Sequence, residues 1–136
     1  MERYDEALAD LNKAIDLDPK DKDDRLQYVL AVTHLQLDDE DRAQAALRRA
    51  IHLGTQDLAA NGATLPRLCN LALYHLAAGE IGQSERLWAQ ALTMPGAAAY
   101  IRGVALDALR DLQSVLPDTA GLDAALRLLA DHVTTD

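Results

Sequence analysis

Three times in this 136-residue chain a small residue, a large apolar residue and a second small residue follow one another at spacings of four and three. The sets are Ala7, Leu11 and Ala14; Ala43, Leu47 and Ala50; and Ser84, Trp88 and Ala91. Such spacings place the three residues on one face of an α-helix. Small residues there let two helix axes approach closely, and the large one fills the space between them. The ladder therefore demands helices stacked on helices. From Ala14 to Ala50 is 36 residues and from Ala50 to Ala91 is 41, so the unit repeats along the chain.

Partner helices precede the second and third ladders. One is expected from about Asp23 to Leu37, with Leu26, Leu30 and Leu37 among its apolar positions. The other is expected from about Leu65 to Ala78, carrying Leu68, Leu71, Ala72 and His75 and ending at Gly79 in a left-handed cap. Between the second ladder and this helix, residues 54–66 are rich in turn formers and read as an extended connection. Residues 98–115 predict an amphipathic helix with Ile101, Ala105, Leu109 and Leu112 on one face. Leu116-Pro117-Asp118 breaks it, and a last helix over about 119–133 repeats Leu122, Ala125, Leu126 and Leu129.

Residues 2–19 read Glu-Arg-Tyr-Asp-Glu-Ala-Leu-Ala-Asp-Leu-Asn-Lys-Ala-Ile-Asp-Leu-Asp-Pro. This run resembles the second helix of a tetratricopeptide repeat. The resemblance implies an all-α, right-handed α-solenoid of helical hairpins, with about seven helices and a start in mid-repeat. The implied organisation is a single domain over 1–136. It comprises an orphan second helix at 1–19, repeats at 22–53 and 64–95, and a degenerate capping hairpin at 97–133, since terminal repeats depart from consensus. Against a family period of about 34, the two connections carry roughly 2 and roughly 7 extra residues. The family's glycine-bearing inter-helix turn is matched at 77–82, with Ile81 in place of the aromatic. In the second repeat the turn is Asp38-Asp39-Glu40-Asp41, without glycine but well suited to cap the following helix.

Composition narrows the function. Net charge is −9 and the pI about 4.7, an acidic balance that disfavours phosphate backbones and anionic lipid, so neither nucleic acid nor a membrane is expected as partner. Lys13, Lys20 and Lys22 are the only lysines. The N-terminus lacks the apolar core of a signal peptide, and no apolar stretch approaches the ~18 residues of a membrane span. A cytoplasmic chain is expected. Cys69 is the only cysteine, so no internal disulfide can form.

No chemistry-bearing constellation emerges. His34 and His75 lie 16 residues before Ala50 and Ala91, at one repeat position. Either they form a shared metal or proton site, or each packs between paired helices; with two ligands and no matched carboxylate, the second reading is preferred. The acidic runs at 16–24 and 38–41 lack the Gly and Glu positions of a calcium loop and read as solvated connectors. There is no nucleophile elbow and no phosphate-binding glycine loop. Enzymatic activity, cofactors and metals are not expected.

The resemblance supplies the site. In such repeats the first helices line a concave groove, which here would receive Arg25, Tyr28, Val29 and Val32 from one helix and Cys69, Asn70 and Leu73 from the next. Some family members clamp a C-terminal carboxylate with a Lys/Asn/Arg set. Asn70 falls at one such position, but the lysines are absent and the clamp is not carried over. The groove either receives an amphipathic helix or apolar peptide, or is covered by the chain's own C-terminal helices. A protein–protein interaction module is thus expected, with a regulatory segment of a larger signalling protein or a self-assembly module as alternatives. For self-association, Tyr4, Ala7, Leu11 and Ala14 would present an uncovered stripe, most simply pairing as a two-fold homodimer.

Overall fold

Each helix begins and ends where local chemistry allows. The computed structural model describes residues 24–135 and, ahead of them, Glu6, Leu8, Ala9, Asp10 and Lys13. Those five, all helical, are the described part of the helix expected at 1–19, and the stripe Tyr4, Ala7, Leu11 and Ala14 lies outside the described residues. The elements are α1 (Asp24–Gln36), α2 (Glu40–Asn61), α3 (Leu65–Ala77) and α4 (Ile81–Leu92). They are followed by α5 (Ala97–Tyr100), a π-helical segment (Ile101–Ala105), α6 (Leu106–Val115) and α7 (Leu122–Thr135). The described residues contain no strand, so the fold is all-α.

The turns between α1 and α2 and between α3 and α4 share one geometry. In the first, the Asp39 N–H donates to the His34 carbonyl at 2.9 Å and the Asp38 N–H to Leu35 at 3.1 Å. In the second, Glu80 donates to His75 at 2.8 Å and Gly79 to Leu76 at 3.1 Å. This is the Schellman pattern, which needs a left-handed residue just past the helix. Gly79 supplies it at φ +86, and Asp38 adopts it at φ +60. Asp39 then caps α2 by accepting from the Arg42 N–H at 3.3 Å, and Thr64 caps α3 by accepting from Arg67 at 3.3 Å.

The connection expected over 54–66 is largely helix. Chain α2 continues to Asn61, leaving only Gly62, Ala63 and Thr64 to link it to α3. Gly54 lies in its middle, buried, and a Cβ there would meet Leu71 at 3.2 Å and Tyr74 at 3.6 Å. The glycine therefore serves close helix approach rather than a turn, and Leu58 beyond it packs onto the core. The helix expected at 98–115 begins at Ala97 and passes through the π-helical segment, where one extra residue per turn is accommodated. The last helix begins at Leu122 rather than 119, because Gly121 at φ +81 precedes it.

Both described ladders are buried: Ala43, Leu47 and Ala50 in α2, Ser84, Trp88 and Ala91 in α4. The Ser84 hydroxyl donates to the Ala72 carbonyl at 2.7 Å, so this small position is polar yet satisfied. Helices pack in chain order, α1 on α2, α2 on α3 and α3 on α4. Helix α7 closes against α6 and the π-helical segment and also touches α4. The main core runs from Ala50 to Leu129, with Ile101, Ala105, Leu109 and Leu112 all inside it. A smaller cluster of Leu30, Ala31, Ala46 and Leu47 sits between α1 and α2, with Leu8 against it. Tyr28 packs on both.

Candidate binding groove

Helices α1 and α3 and the continuous rod 97–115 leave an open groove between them, with a volume of about 410 Å³. Each contributes a stripe at helical spacing. Helix α1 brings Arg25, Tyr28, Val29, Val32 and Gln36; α3 brings Pro66, Asn70, Leu73 and Tyr74; the rod brings Tyr100, Val104, Ala108 and Asp111. Of the residues placed here from sequence, Arg25, Tyr28, Val29, Val32, Asn70 and Leu73 lie together on its wall. Cys69 does not. It is turned into the core at 4% exposure, one residue and about 100° around the helix from Asn70. Burial pushes its thiol up to about 12, so it stays protonated and inert near neutrality.

The C-terminal helices do not cover this face. The rod 97–115 forms its third wall instead, and Val29 and Val104 stay 46% and 48% exposed at the rim. Sequence reasoning missed that wall, although Tyr100, Val104, Ala108 and Asp111 recur at helical spacing beside the buried stripe of the same helix.

Aromatic residues build the floor. The Tyr28 and Tyr74 rings lie 5.2 Å apart at 34°, and the Tyr74 hydroxyl donates to Asp24 at 2.7 Å. Tyr74 is thereby fixed at 1% exposure. Burial holds the Tyr28 phenol well above its usual pKa, and the Asp111 carboxylate adds to this. Burial also raises Tyr100, with nearby Arg25 acting in the opposite sense. The Tyr28 and Tyr100 phenols therefore remain neutral hydrogen-bonding groups in the groove.

The other features are structural. His34 and His75 are buried, their Nδ1 atoms 4.0 Å from Asp39 and 3.6 Å from Glu80. Neither Nδ1 makes a hydrogen bond. Each histidine thus faces the carboxylate of its own turn. No cluster of three His, Cys, Asp or Glu among the described residues could hold a metal. No described helix is long and apolar enough to cross a membrane. A second hollow of about 380 Å³ between α4 and α7 is lined by small and apolar residues around Trp88 and Glu85. Leu76 of α3 also reaches it, and Glu85 is the one charged residue of its described lining.

Compared with known proteins, residues 1–64 match the family model for the tetratricopeptide repeat. No curated protein and no solved structure matches the chain.

Proposed function

Because residues 1–64 match the tetratricopeptide-repeat family model, we propose that the chain is a protein-interaction module that holds a peptide or helix of a partner in the groove. Repeats of this family generally mediate protein–protein interaction. One observation carries the assignment to this surface: an open, tyrosine-floored groove whose rim valines remain about half exposed. Exposed apolar groups around a concave site lose that exposure when a partner's apolar face enters. The groove is about as long as α1, which suits a helix of three to four turns or an extended segment.

The test uses substitutions that add charge without disturbing the core. Val29→Glu with Val104→Glu should abolish capture of any ligand selected against the native chain, with the helical circular dichroism spectrum retained. Retained binding would place the partner on another surface.

A further inference from the structure

The groove is apolar but not electrically neutral. Its lining holds two charged residues, Arg25 and Asp111. Arg25 already has interaction partners of its own and acts on Tyr100. Asp111 differs. It is exposed and makes no hydrogen bond or ion pair among the described residues. The nearby pair Asp107 and Arg110, 3.7 Å apart on the same helix, does not include Asp111, which leaves Asp111 and Arg25 as the charges of the groove lining. Its field reaches the Tyr28 phenol in the floor.

On the reading that this groove binds a peptide, we propose that it selects a cationic one, with a Lys or Arg side chain seated between the Tyr28 ring and the Asp111 carboxylate. Apolar neighbours in the same segment rest on Val29, Val32 and Val104. Three features converge on a cation. A tyrosine face attracts positive charge through its quadrupole. The adjacent carboxylate supplies a charge-assisted hydrogen bond. The whole chain, at net charge −9, draws basic ligands and repels acidic ones over longer range. An acidic or phosphorylated segment would bring a second negative charge against Asp111, whereas Arg25 in the same lining already has partners of its own.

A random 12-residue peptide library displayed on phage, panned against the full chain, tests this directly. Panning is repeated with Asp111→Lys, Asp111→Asn and the Val29→Glu/Val104→Glu control, all at exposed positions. Peptides selected by the native chain should be enriched in Lys or Arg beside apolar residues. The affinity of the best should fall about tenfold or more in Asp111→Lys, less in Asp111→Asn, and weaken as salt rises. Selected peptides lacking basic residues, or bound within about twofold by Asp111→Lys, would overturn the cation preference. If those peptides are still lost in the valine control, the groove reading survives without it. Peptides indifferent to the valine control, or no enrichment at all, would overturn the groove reading and the cation preference together.

Discussion

Trp88 fills the large position of a ladder whose small partners, Ser84 and Ala91, are themselves buried. Its indole N–H makes no hydrogen bond, so its contribution is packing alone. Trp88→Ala should therefore cost about 3–5 kcal/mol through lost transfer energy and the cavity left behind. Circular dichroism melts should show the midpoint falling by roughly 10 °C or more; a loss below about 1 kcal/mol would contradict the packing described. This ladder was legible in the sequence because small and large residues at fixed helical spacing have few other uses. The groove was legible less evenly. Tyr28, Asn70 and Leu73 follow from the repeat register, but register cannot separate neighbours on one helix, and Cys69 turns inward beside Asn70.

At the scale of elements, the two Schellman turns make a natural comparison, since one uses glycine and the other aspartate for the same left-handed residue. A Cβ in that conformation is crowded by the following carbonyl, at a cost of about 1 kcal/mol that glycine avoids. Asp38→Gly should stabilise the chain by about 0.5–1 kcal/mol, and Gly79→Ala should destabilise it by about 1 kcal/mol or more. Urea titrations of the two variants check both signs. The four acidic residues at 38–41 disclose a turn but not which residue takes positive φ. The length of α2 was also hidden, because Gly54 reads as a breaker until its contact with Leu71 and Tyr74 is known. The π-helical segment left no trace in the periodicity of Ile101, Ala105, Leu109 and Leu112, all of which are buried as an ordinary helix would have them.

For the whole molecule, the division into two cores matters more than any one contact. In a repeat stack each hairpin leans on its neighbours, and stability is a sum of local and interface terms. Among the described residues the α1–α2 cluster holds four buried apolar residues, whereas the main core extends across α2 to α7. Tyr28 belongs to both, and its ring against Tyr74 joins the first hairpin to the second. Local opening should therefore start at α1, where the smaller of the two described clusters opposes it. Native-state hydrogen exchange should show α1 amides exchanging faster than those of α3. Tyr28→Ala should speed exchange further in α1 and the first half of α2 while leaving α6 and α7 nearly unchanged. Because Tyr28 also floors the groove, a bound peptide should have the opposite effect, slowing exchange in α1 first. Uniform acceleration across all helices in Tyr28→Ala would mean that the two cores unfold as one unit and that the groove does not lie over a seam.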